Sequence, residues 1–218
     1  MRKCELPSRE QCLEILKELC VPSHIVRHGF ATAKLGLFLA IKLNERGVSV
    51  DADLVDRACL LHDVLRICDL RDYSRFEHSV TDKAKWMKLK SQYEGLCHEE
   101  AAAAFFRGKY PQLAEVIRKH RYTAISHPQD KPQTWEEKLV YYADKRVMHD
   151  KIVPLKERLE EAHKRIAAQR DPADQGVLDI EQIDAFIFDL EREIFDKIEV
   201  DPFVITDEFI DLYDKVEQ

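Results

Sequence analysis

Six residues of metal-ligand type recur along this chain at wide spacing: His28, the adjacent pair His62-Asp63, His98, His120 and Asp144. Imidazole nitrogens mixed with carboxylates suit borderline transition ions such as Fe, Mn, Zn, Co or Ni. They disfavour the all-oxygen cage that calcium prefers. The adjacent pair adds a geometrical constraint. Consecutive helical residues point about 100° apart, so His62 and Asp63 do not both serve one ion from one helix face. They serve two ions if Asp63 lies between the metals with its two carboxylate oxygens and His62 binds one side. A dinuclear centre is the expectation.

Each residue has a competing structural reading. A single buried histidine is commonly a hydrogen-bonded core residue, and His28 sits among Gly29, Phe30, Ala31 and Ala33. His24, one turn earlier, competes with it. His62 and Asp63 interrupt an apolar helix, and Asp144 follows Leu139-Val140-Tyr141-Tyr142-Ala143. An uncompensated carboxylate there would be costly, and metal binding supplies the compensation. His98 is preferred to His78 because it opens a helix with small residues, Ala101 to Ala104, whereas His78 falls in a charged loop. His120 is preferred to His127, which lies in the following polar loop. His149 and His163 read as surface residues.

The elements that must position these side chains are helical. Glycine is scarce, at 6 in 218 residues, and apolar residues recur at spacings of three and four. Ser8 with Gln11 forms a capping box for a helix to about Cys20. Pro22 opens a long helix running to Arg46, stopped by Gly47. Asp51 or Asp53 caps a third helix carrying His62 and Asp63, and residues 69–80 read as a loop. Further helices are expected at about 81–93, 97–109 and 111–121. Another runs from the capping box Thr134/Glu137 to about His149, and a charged one from Pro154 to about Arg170. Residues 171–176 are the best linker, followed by two amphipathic helices. No convincing strand emerges. The stripe Ile183, Ile187, Leu190, Ile194 and Ile198 must bury itself on the main body or on a second copy of the chain, as a homodimer.

Arg27-His28, Leu60-Leu61-His62-Asp63-Val64, His98, His120 and Ala143-Asp144-Lys145, in that order, resemble the HD-domain metal-dependent phosphohydrolase superfamily over roughly residues 22–150. The resemblance implies an all-α, HD-domain-like helical bundle with additional C-terminal helices. It implies a first metal held by His28, His62, Asp63 and Asp144, and a second that adds His98 and His120, with Asp63 between them. The six-ligand set is similar to that of HDIG-type proteins, including symmetrical dinucleoside tetraphosphatases, and of HD-GYP cyclic-dinucleotide phosphodiesterases. Val64-Leu65 replaces the Ile-Gly of the HDIG motif, and no Gly-Tyr-Pro motif is present. Many two-metal members place a phosphate-binding Lys four residues after the motif His. Here that residue is Arg66, which can grip phosphate bidentately; Lys145 and Arg146 are further phosphate candidates.

The implied activity is hydrolysis of a phosphate ester or anhydride of a nucleotide-type substrate by a metal-activated water. Asp63, Arg66 and Lys145 carry the chemistry with two divalent ions drawn from Fe, Mn, Co, Ni, Zn or Mg. The alternatives are an HD-fold mixed-valence di-iron oxygenase, which uses the same six ligands, and a non-catalytic metal-binding sensing module.

Composition bounds this reading. The 218 residues are 45% hydrophobic and 34% charged, which excludes collagen, mucin and wholly disordered classes. No apolar run approaches the roughly 20 residues of a membrane span, and the first residues show no signal-peptide pattern, so a cytoplasmic protein without a membrane partner is expected. The six cysteines form no C-x-x-C pair and read as reduced thiols. The net charge of −7 is unevenly placed. Residues 177–218 hold fourteen acidic and three basic side chains, or −11, which leaves +4 for residues 1–176. Nucleic acid is an unlikely partner, because the basic Lys83–Lys90 face around Trp86 reads as solvated surface. The expected division is an HD phosphohydrolase domain at 1–150, its core about 22–150, and an acidic helical extension at 151–218.

Overall fold

The computed structural model describes residues 5–70, 72–73, 77–169 and 179–216. Among them, ten α-helices and one small hairpin build an all-α fold.

The entry helix α1 (Arg9–Glu18) starts with the Ser8/Gln11 capping box. The chain leaves it through Cys20, whose φ of 53° turns the backbone towards α2 (Ser23–Glu45). Pro22 takes the N-cap position, and Gly47 follows the helix at φ 78°, a conformation cheap only for glycine. Asp51 caps α3 (Ala52–Leu61) by accepting from the Leu54 amide.

Helices α2 and α3 make the closest pairing in the molecule. Gly29 and Gly36 permit it: a Cβ at Gly29 would stand 2.8 Å from the Leu60 carbonyl oxygen, and one at Gly36 would stand 2.6 Å from Cys59 Sγ. Because Gly29 adjoins His28 and Leu60 lies two residues before His62, this approach brings the first two site histidines together.

The next helices are α4 (Val80–Gln92), α5 (His98–Arg107) and α6 (Pro111–Arg118), with α5 packed on α6. Trp86 of α4 is buried and donates through Nε1 to the Cys20 carbonyl, so the basic face has a structural anchor. The Thr134/Glu137 capping box starts α7 (Trp135–Asp144), which packs on α2, α3 and α6.

Three expected helices end early, the one expected at 111–121 stopping at Arg118 so that His120 lies just beyond it. The third helix of the chain stops at Leu61, so His62 is its C-cap and Asp63 lies in the following turn. The expected helix to His149 stops at Asp144 and gives way to an antiparallel hairpin, β1 (Val147–Met148) with β2 (Lys151–Ile152). β-branched Val147 and Ile152 face each other there, and His149 turns the chain at φ 58°. Strands of two residues leave too little alternation to be read in advance.

Helix α8 (Leu155–Gln169) follows, then α9 (Ile180–Ile198) and α10 (Asp207–Val216). The expected linker at 171–176 lies outside the described residues. The apolar stripe of α9 is buried within the chain, each of its five residues being at most 2% exposed. It packs on α2, α7 and a 3₁₀ turn at Tyr122–Ser126, and it joins the same apolar core as Leu35, Leu39, Leu61 and Leu139. Helix α10 lies on α2, where Lys34 pairs with Asp211 at 2.7 Å. Among the described residues, no helix is long and apolar enough to cross a membrane.

Candidate metal centre

The six nominated residues come from five parts of the fold. His28 is on α2, His62 and Asp63 are in the turn after α3, His98 is the first residue of α5, His120 is just past α6, and Asp144 ends α7. Three of the four imidazoles present the end of an element, where the backbone is free to aim a side chain inward.

Every imidazole is anchored by the same atom. His28 Nδ1 meets the His149 carbonyl at 2.8 Å, His62 Nδ1 the Cys59 carbonyl at 2.7 Å, and His120 Nδ1 the Ile117 carbonyl at 2.5 Å. His98 Nδ1 lies 2.5 Å from Asp69 Oδ2. An Nδ1 that donates to oxygen fixes the ring and its tautomer, and leaves Nε2 as the free donor.

All four Nε2 atoms turn towards two carboxylates. His28 Nε2 lies 3.0 Å and His62 Nε2 3.4 Å from Asp144 Oδ1. Asp63 faces both ways: Oδ2 is 3.8 Å from His62 Nε2, whereas Oδ1 is 2.9 Å from His98 Nε2 and 3.6 Å from His120 Nε2.

Electrostatics favour a cation. Burial alone would raise the Asp63 carboxyl, but His62, Arg66 and His98 outweigh it and hold the group well below the usual carboxylate range. Burial is likewise overcome at Asp144, by Lys145 first and then by His28 and His62. At His98, burial opposes the charged form, yet Asp63 lifts the imidazole to about 9. His62 moves upward too, against its burial, through Asp63 and Asp144. His120 is lowered, by burial first. The carboxylates therefore favour the protonated forms of His62 and His98, and metal binding would displace those protons.

Two observations test whether divalent ions fit. His62 Nε2 is buried and has no hydrogen-bond partner, a costly state for an imidazole unless another group uses the lone pair. The donor spacings also match coordination. Ligand atoms about 2.0–2.2 Å from one ion in tetrahedral array stand roughly 3.3 Å apart. The pairs His28/Asp144, His62/Asp144 and His98/His120 are 3.0, 3.4 and 3.3 Å apart. Among the described residues, groups whose donor atoms all lie within 4.8 Å of one another include His28/His62/Asp144, His62/Asp63/His120 and His98/Glu99/His120. The residues fit.

The nominated cations separate. The Arg66 side chain is 39% exposed, and its Nη1 lies 2.9 Å from His98 Nε2. Lys145 is buried and turned inward, bonding the His120 carbonyl and, at 2.9 Å, Asp144 Oδ2. Arg146, one residue on, points away from the site. It is 1% exposed and bonds the Tyr142 hydroxyl, Glu191 and the carbonyls of Val153 and Pro202, so it is a clamp between α7 and the C-terminal helices.

Sequence reasoning did not nominate Asp69, Glu99, the His149 carbonyl or Arg165. Asp69 sits seven residues after His62 in a turn and carries no spacing signal. His149, expected at the surface, serves the site through its backbone. Arg165 of α8 lies within electrostatic reach of Arg66 and Asp144; burial, with the like charges of Arg158 and Arg66, lowers its pKa.

This is the arrangement of an HD domain, and the family model for the HD domain matches residues 25–148. The chain belongs to that family, whose members are generally metal-dependent hydrolases. It is also similar to the uncharacterized protein MJ0778 of Methanocaldococcus jannaschii, 27% identical over 169 residues, which cover 72% of this chain and 85% of that protein. No solved structure matches the chain.

Proposed function

We propose that the chain is a two-metal phosphohydrolase acting on a phosphate ester or anhydride of a nucleotide-type small molecule. The observation that carries this reading is the shared aim of four imidazoles. Each has Nδ1 tied to an oxygen and Nε2 directed at Asp63 or Asp144. His28, His62, Asp63 and Asp144 would hold one ion; His98 and His120 would hold the other with Asp63.

Two divalent ions, when bound, would lower the pKa of a water towards ~7 and draw charge from the phosphate oxygens. The protein's own contribution is orientation and charge. Asp63 directs one oxygen to each side of the centre. Lys145 Nζ holds Asp144 against the His120 carbonyl, so it positions two ligands rather than touching substrate. Arg66 is the cation with both exposure and proximity, and its guanidinium can donate to two oxygens of a phosphate.

The test is purified protein with Mn²⁺, Fe²⁺, Co²⁺ or Mg²⁺ against nucleotides, dinucleoside polyphosphates and cyclic dinucleotides, compared with Asp63→Ala. Metal-dependent release of phosphate or nucleotide, reduced at least 10³-fold in Asp63→Ala, is expected. Undiminished turnover in the variant would exclude the mechanism. Oxygen consumption without phosphate release would place the chain among oxygenases instead.

A further inference from the structure

Glu99 is buried at 6% exposure at the first turn of α5, directly after His98. Its Oε2 has no hydrogen-bond partner, although it stands 3.1 Å from His98 Nδ1. That nitrogen is already served by Asp69 at 2.5 Å, so Glu99 is not needed to anchor the ring. Cys97 is a hydrogen-bond neighbour of the carboxylate, but a buried carboxylate oxygen left without a hydrogen bond is costly and calls for a cation. No Lys or Arg is hydrogen-bonded to it among the described residues. What it does have is a carboxylate oxygen within 4.8 Å of ring nitrogens of both His98 and His120, themselves 3.3 Å apart at Nε2. A small cleft lined by Cys97, Arg118, Arg121 and His127 lies beside Glu99.

We infer that Glu99 is a ligand of the second ion, adding a carboxylate donor to His98, His120 and the bridging oxygen of Asp63. The inference rests on the two-ion reading above and extends it. Three protein donors leave an ion with an open position, whereas a fourth closes most of a tetrahedral shell. Glu99 would thus bring the second ion to four protein donors, the number that His28, His62, Asp63 and Asp144 offer the first.

The test is metal binding, independent of turnover. Wild type, Glu99→Gln and the exposed neighbour Glu100→Gln are stripped with chelator, titrated calorimetrically with Mn²⁺, and assayed for bound metal after dialysis. Gln keeps the size and shape of the side chain but lacks the anionic oxygen. Two ions are expected in wild type and Glu100→Gln. In Glu99→Gln the first should bind unchanged and the second more than tenfold more weakly. A second ion bound within tenfold of wild type in Glu99→Gln would overturn the assignment, as would a wild type that binds one ion only. Glu99→Ala serves if the Gln variant is poorly folded, with the same two readings. Loss of the second ion in a protein that turns over no phosphate compound would retain Glu99 as ligand while removing the hydrolase reading. Turnover with two ions retained in Glu99→Gln would do the reverse.

Discussion

At the scale of single residues, the candidate ligands were legible and their supports were not. His28, His62, Asp63, His98, His120 and Asp144 stand out because polar, metal-binding types interrupt apolar helices in a fixed order. The groups that aim them are three backbone carbonyls and Asp69, and a carbonyl has no sequence signature. Outer partners of this kind typically govern metal affinity by 10–100-fold. Asp69→Ala should therefore weaken metal binding by about that factor without unfolding the protein, as read by titration with Mn²⁺. Cysteine chemistry gives a second expectation. Cys12 is fully buried, and burial, only partly opposed by Arg57, pushes its thiol up to about 12 from an ordinary value near 9. Between those values the unfolded chain loses the thiol proton and the folded chain keeps it, so stability is full below about pH 9 and falls as pH rises towards 12. Denaturant unfolding across pH 8–11 should show this decline. Cys12→Ala should make it shallower by up to about 1.4 kcal/mol per pH unit.

At the scale of elements, helix starts were read well and helix ends less so. Ser8, Asp51 and Thr134 each cap the helix they announced, because a capping side chain acts on amides two or three residues away. The ends at Leu61, Arg118 and Asp144 carry no glycine signal, and each lies within two residues of a site ligand. The angular argument for His62 and Asp63 assumed a continuous helix. The turn after Leu61 replaces it, with the two oxygens of Asp63 still facing opposite sides. Packing of α2 on α3 sets how close His28 comes to His62. Gly29→Ala would drive a methyl to 2.8 Å from the Leu60 carbonyl, a backbone atom with little freedom to move. The expected cost is about 1–3 kcal/mol of stability, together with weaker binding of the first ion, seen as a lower melting temperature and a reduced gain on adding Mn²⁺.

At the scale of the whole molecule, the division of charge reflects a division of labour. The acidic C-terminal helices bury their apolar stripe on the HD body and leave acidic groups such as Asp196 and Glu199 around a groove at the far end of α9. On the proposed reading a phosphate substrate would be drawn to Arg66 rather than to that groove. Arg146 shows why composition could not assign roles: two adjacent cations, Lys145 and Arg146, look equivalent in sequence but diverge at the end of α7. Arg146→Ala leaves Glu191 without its buried partner and should cost about 3–5 kcal/mol, with KM unchanged in whatever protein remains folded. A rise in KM without loss of stability would instead return Arg146 to the substrate. The central claim, that six converging residues make a two-ion centre, is tested most directly by anomalous scattering from crystals grown with Mn²⁺. Two peaks are predicted, one against His28, His62 and Asp144 and one against His98 and His120, with the Asp63 carboxylate between them. Ordered side chains with no peak, or a single peak remote from Asp63, would contradict it.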